Sequence, residues 1–107
     1  MPESSERGAL TEGVFYILLV LHRPMHGYGI MQYVKELSNQ RVNLGPGTLY
    51  GAINTLFEKQ WITIYADEKD SRKKEYIITD LGRSMVLTEL KRLEELLNNG
   101  RNIVGGM

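Results

Sequence analysis

The chain has 107 residues, enough for one domain with a modest core and no separate catalytic domain. Thirteen basic and thirteen acidic residues cancel, so affinity for nucleic acid must come from a local patch, not from bulk charge. With no cysteine, the sequence excludes disulfides, cysteine-ligated zinc, iron–sulfur clusters and thiol nucleophiles, in keeping with a reducing cytoplasm.

Residues 1–9 are rich in Pro, Ser, Glu and Gly and are expected to form a mobile tail. Thr11 reads as the N-cap of a first helix, whose segment Val14–Leu21 is apolar around nearly its whole circumference. Such a helix is buried on more than one side. One side is expected to meet the core and the other a second subunit, with Val14, Phe15 and Leu18 as interface candidates. The segment is far short of the about 20 residues that a bilayer span needs. The acidic residues before it (Glu3, Glu6, Glu12) do not suit a signal peptide. A cytoplasmic protein with no membrane association is expected.

Pro24 and Gly27 end the first helix, and Ile30, Val34 and Leu37 give helical spacing to a second over Tyr28–Leu37. Val42–Leu44 reads as a short extended piece. Gly45-Pro46-Gly47-Thr48 opens a third helix running to about Lys59, with Pro near the first helical position. Trp61–Ala66 and Glu75–Ile78 read as the strands of a hairpin with a long charged tip. Thr79 or Asp80 caps a last helix, expected to end at Gly100 and to leave residues 101–107 as a loose tail. Val86, Leu90, Leu93 and Leu97 repeat along it at steps of 4, 3 and 4, the seam spacing of a helix pair. They complete the expected dimer interface.

This order predicts a mainly α fold with a small β-hairpin: a winged helix-turn-helix over 10–79 and a C-terminal dimerisation helix over 80–100. In such an arrangement the third helix enters the major groove and the hairpin touches the flanking backbone. Taking Leu49 as inward, Ile53, Leu56 and Gln60 fall within about 40° of it. The opposite face carries Gly47, Gly51, Asn54 and Glu58, with Tyr50 and Thr55 on its flanks. Each glycine costs about 1 kcal/mol against Ala in an ordinary helix, a cost that makes sense where another surface must come close. Asn54 suits an adenine edge, and the hydroxyls of Thr48 and Tyr50 suit phosphate. The N–H groups around Gly47 and Thr48 offer a further phosphate site. On the hairpin tip, Arg72, Lys73 and Lys74 form a run of three positive charges suited to the DNA backbone.

Four stretches over residues 10–92 carry a family resemblance: the first helix ending in Leu21-His22-Arg23-Pro24, then His26-Gly27-Tyr28-Gly29-Ile30, then Gly47-Thr48-Leu49-Tyr50-Gly51-Ala52-Ile53, and finally Lys74-Glu75-Tyr76-Ile77-Ile78-Thr79-Asp80-Leu81-Gly82-Arg83. In this order they resemble the PadR family of transcriptional regulators, in its short form with a single C-terminal helix. The resemblance implies a homodimeric winged helix-turn-helix protein. It would bind double-stranded operator DNA, usually repressing a neighbouring operon and its own gene, with its last helix packed on the partner's first helix. It leaves room for a small apolar or aromatic effector at the dimer interface. Some drug-binding short members stack the drug on a Trp in the last helix; here that helix holds no aromatic residue and the sole Trp is Trp61.

No catalytic residue, metal or cofactor is expected. His22 and His26 lack a third ligand, no serine–histidine pair or paired carboxylates stand out, and Gly45–Thr48 lacks the lysine of a phosphate-binding loop. Zero net charge and Glu58 on the presented face keep two alternatives open: a winged-helix module that binds protein, and a ligand-binding dimer without a primary DNA role.

Overall fold

The computed structural model describes residues 9–66 and 74–105. Its elements are helix α1 (Glu12–Val20), strand β1 (Met25–His26), helix α2 (Gly27–Leu37), helix α3 (Pro46–Glu58), strands β2 (Ile62–Ala66) and β3 (Glu75–Ile78), and helix α4 (Asp80–Val104). Residues 1–8 of the expected tail, and the hairpin tip with Arg72 and Lys73, lie outside the described residues.

Each helix starts on a local signal. Thr11 caps α1 by accepting from the Val14 N–H at 3.1 Å, and Thr79 caps α4 by accepting from Gly82 at 3.1 Å. His26 caps α2, its Nδ1 accepting from the Gly29 N–H at 3.0 Å. Helix α3 has Gly45 at its N-cap and Pro46 in its first turn. The core joins residues from the four helices and from β2 and β3: Ile17, Leu18 and Leu21 on and just past α1, Ile30 and Val34, Leu49, Ile53 and Leu56, then Ile62, Ile78 and Val86. Burying these aliphatic side chains is the main favourable term, at about 1.5–3 kcal/mol each.

Three expectations are corrected. Val42–Leu44 joins no sheet; the third strand is instead Met25–His26. It pairs with β3 through Met25 opposite Tyr76 and His26 opposite Glu75, giving an antiparallel sheet in the order β1-β3-β2. Val42 and Leu44 pack their side chains against the core, and no strand lies beside their backbone. Gln60 does not continue the buried face of α3. It takes a left-handed φ of 66° as Gln60 N–H bonds to Phe57 and Trp61 N–H to Leu56, the Schellman pattern that ends a helix. Finally, α4 runs through Gly100 to Val104 and stops where Gly105 takes a φ of 116°. A single glycine within a helix costs only about 1 kcal/mol; the left-handed turn at Gly105 is what breaks the ladder.

Among the described residues, no helix is long and apolar enough to cross a membrane.

Gly82 lies where the start of α4 crosses the base of the wing. A Cβ there would run into the Trp61 carbonyl and the Ile78 side chain. Because a backbone carbonyl cannot swing aside, Gly82→Ala is expected to destabilise the fold by about 1–3 kcal/mol. Denaturant titration reads this as a lower midpoint at unchanged slope; a midpoint equal to that of the parent protein contradicts it.

Candidate nucleic-acid interface

Helix α3 is seated by Leu49, Ile53 and Leu56, so the stripe half a turn away faces out. Gly47, Gly51, Asn54 and Glu58 share that stripe, all exposed, with Thr48 and Thr55 exposed beside it. A Cβ on Gly47 or Gly51 would meet nothing within 4 Å. The two glycines therefore serve no packing inside the protomer, and they leave the backbone open to close approach from outside. The N-cap Gly45 supplies no side-chain bond to the helix end. The Gly47 and Thr48 N–H groups thus project from the positive end of the helix dipole without an intrahelical acceptor.

Tyr50 behaves differently from its neighbours. Its ring leans over the buried Gly27 at the start of α2, where a Cβ would collide with the hydroxyl. It locks α2 to α3 while part of the ring stays at the surface. Tyr28, 64% exposed, sits on the same end of α2 and its hydroxyl accepts from Gln32 at 3.2 Å. Tyr28 adjoins Gly27, and Thr48 and the open N-terminus of α3 lie within about one turn before Tyr50, whose own hydroxyl is seated against Gly27. Of the three wing cations, Lys74 is described, half-buried just before β3. At the wing base, Lys59 lies over the Trp61 ring, 5.3 Å from its centroid.

The expected dimer residues divide. Leu18 is 0% exposed and Val86 4% exposed within the single chain, so both belong to the core and have no area left for a partner. Val14 and Phe15 are half-buried against that core. Leu90, Leu93 and Leu97 are exposed, and the apolar surface continues over Leu87, Leu96, Ile103 and Val104. Between α1 and α4 lies a cleft of about 440 Å³ lined by Leu10, Glu12, Phe15, Tyr16, Leu19, Glu89, Arg92 and Leu93.

Two polar features here escape a pattern reading. Glu89 is only 2% exposed. Its carboxylate accepts from Arg92 at 2.9 and 2.5 Å and from the Leu10 N–H at 3.5 Å. The Arg92 guanidinium holds the Glu89 carboxyl below the usual carboxylate range, against the opposing pull of burial. On the surface, Arg41 grips Glu12 with both terminal nitrogens. The i,i+3 spacing of Glu89 and Arg92 is visible in the sequence, but nothing in it shows that the glutamate is buried. Among the described residues no group of three His, Asp or Glu is placed to hold a metal ion. His22 turns its Nδ1 to the Leu18 and Leu19 carbonyls.

Known proteins resemble this chain in sequence and in fold. The model of the Transcriptional regulator PadR-like family matches residues 17–89. A PadR-like transcription factor from Bacteroides fragilis superposes with a TM-score of 0.69 at 25% identity, over 96% of this chain and 97% of its own. Bacillus subtilis PadR, in complex with operator DNA, superposes with a TM-score of 0.59 at 26% identity over 68% of this chain and 43% of its own. An uncharacterized 37.1 kDa protein in a Streptomyces fradiae transposon is 34% identical over 73 residues; these are 68% of this chain but 20% of that protein.

Two outcomes test this geometry. Gly51→Ala should raise stability by about 1 kcal/mol, because the site is helical, exposed and open, yet lower affinity for any surface that approaches α3 closely. A melting scan checks the first half, and a lower melting temperature contradicts it. For Glu89, the folded carboxyl is depressed, so its contribution is full above the ordinary glutamate value of about 4.3 and is lost as pH falls through the lower folded value. Glu89→Gln should melt below the parent at neutral pH, and the gap should close under acid. A gap that is constant from neutral pH to about pH 3 contradicts the pairing.

Proposed function

The chain belongs to the PadR-like family of transcriptional regulators, and from that premise we propose that it is a homodimeric repressor of a neighbouring operon and of its own gene. The observation that carries this reading is the bare stripe of α3, with Gly47, Gly51 and Asn54 facing out beside an uncapped helix N-terminus. In this reading Asn54 reads a base edge. The Gly47 and Thr48 N–H groups and the hydroxyls of Thr48 and Tyr50 hold phosphates. Lys74, together with Arg72 and Lys73 of the hairpin tip, adds backbone contacts that fix register.

The exposed leucines of α4 supply the dimer surface, with Leu90, Leu93 and Leu97 as its centre and Val14 and Phe15 contributed by α1. Two copies present two recognition helices, which requires a two-fold operator with half-sites about one helical turn apart. A small apolar or aromatic effector in or beside the α1–α4 cleft relieves repression by favouring a dimer in which the helices are spaced differently. The protein works in the cytoplasm in this reading. Glu58 on the exposed stripe is the specific observation that favours a protein partner in place of DNA.

Fluorescence anisotropy against the duplex upstream of its own gene and against a scrambled duplex, over several salt concentrations, separates the readings. Sequence-preferring binding with a steep salt slope is expected. Asn54→Ala should reduce the preference by about 1–3 kcal/mol. Alanine at Arg72, Lys73 and Lys74 should flatten the slope by about 0.9 per phosphate lost. Leu97→Glu should yield monomers in sedimentation and weaken binding. Absence of binding to either duplex at low salt removes the DNA reading in favour of the protein-binding one.

A further inference from the structure

The segment joining α2 to α3 is fastened more firmly than a surface turn needs. Helix α2 ends in a Schellman pattern, with Asn39 and Gln40 at φ values of 55° and 65° and the Gln40 N–H on the Lys35 carbonyl at 2.7 Å. Ser38, buried, closes the next step by accepting from the Val42 N–H at 2.9 Å. Beyond it the chain is laid on the first turn of α1. Arg41 grips the Glu12 carboxylate with its fork, and Leu44 reaches to 3.5 Å from the place a Cβ on Gly13 would take. Gly45, the N-cap of α3, follows directly.

Both side chains of the Arg41–Glu12 pair are largely exposed. A pair of that kind adds little to global stability. Its geometry, however, is specific: a planar fork on a planar carboxylate fixes orientation as well as distance. Glu12 also lines the cleft between α1 and α4, so the pair joins the recognition helix's entry turn to the face that α1 shares with α4. We propose that Arg41 and Glu12 are positioning residues, a strut that sets the pose of α3 against the α1–α4 face. They would raise discrimination between DNA sequences without touching a base. This rests on the DNA-binding reading only for its effect on affinity; the positional part stands on the fold alone.

The test is Glu12→Gln beside Arg41→Lys, which keeps the charge and loses the fork. Hydrogen exchange over residues 42–49, read at the hydrogen-bonded amides of Val42 and Leu49, reports the pose, and anisotropy with operator and scrambled duplexes reports the consequence. In both variants exchange over 42–49 should quicken with little change in melting temperature. Operator affinity should fall about threefold per half-site. Glu12→Gln removes a negative charge, so simple electrostatics would tighten binding to every duplex. A loss confined to the operator therefore identifies positioning. Unchanged exchange over 42–49 overturns the proposal, as does a parallel change on both duplexes. If the unsubstituted protein does not distinguish the duplexes, the DNA reading fails, and the exchange measurement alone decides the strut.

Discussion

The step from Ile78 to Thr79 ties the ends of four elements together. The Ile78 N–H donates to the Leu21 carbonyl just past α1 at 2.8 Å, and the Thr79 N–H donates to the Trp61 carbonyl at the foot of β2 at 2.9 Å. The Thr79 hydroxyl donates to the Gln60 carbonyl at the exit of α3 at 2.7 Å, and its oxygen accepts the Gly82 N–H that opens α4. Gly82 lets α4 start against the Trp61 backbone, where any side chain would collide. Within a few residues, the wing base, α3 and α4 are thus given one fixed relation.

That junction holds α3 by its C-terminal end, and the 38–45 segment holds it by its N-terminal end. Between them Leu49, Ile53 and Leu56 supply the apolar anchorage. A helix fastened at both ends and along one face keeps its orientation without help from its outer face, which is free to carry glycines that contribute nothing to stability. The cost of Gly47 and Gly51 in helix propensity is tolerable because the surrounding fastenings are local and numerous.

Much of this was legible in the sequence because it depends on short-range rules. The caps at Thr11 and Thr79, the inward period of α3 and the two hairpin strands all follow from residues within one turn or one pleat of each other. What was hidden depends on long-range partners. Met25–His26 is a strand only because Tyr76 and Glu75 lie beside it. Arg41 and Glu12 meet across 29 residues. An all-round apolar α1 announces two buried sides, but the chain alone does not say that Leu18 faces the core while Phe15 stays half-open. The burial of Val86 was hidden for a related reason: a seam spacing marks one face of α4 without showing that the start of that face is covered within the chain. Gly100 misled because glycine permits a helix to end without requiring it.

The placement of charge answers the objection that a neutral chain with Glu58 on its presented stripe is a poor partner for DNA. Glu12, Asp80 and Glu89 each face an arginine; the pairs remove acidic and basic groups in equal number and leave the net balance unchanged. Glu58 is the charged member of the α3 stripe and stands at its far end. At 1.5 Å per residue it is about 16 Å along the axis from Gly47. The Debye length is about 8 Å at physiological ionic strength, so its repulsion is largely screened at the N-terminus, where the free N–H groups lie. At about 0.01 M salt the length grows to about 30 Å and the same carboxylate reaches the whole helix. Glu58 therefore opposes non-specific attraction most where such attraction is strongest, and opposes a phosphate seated at Gly47 and Thr48 least under physiological salt.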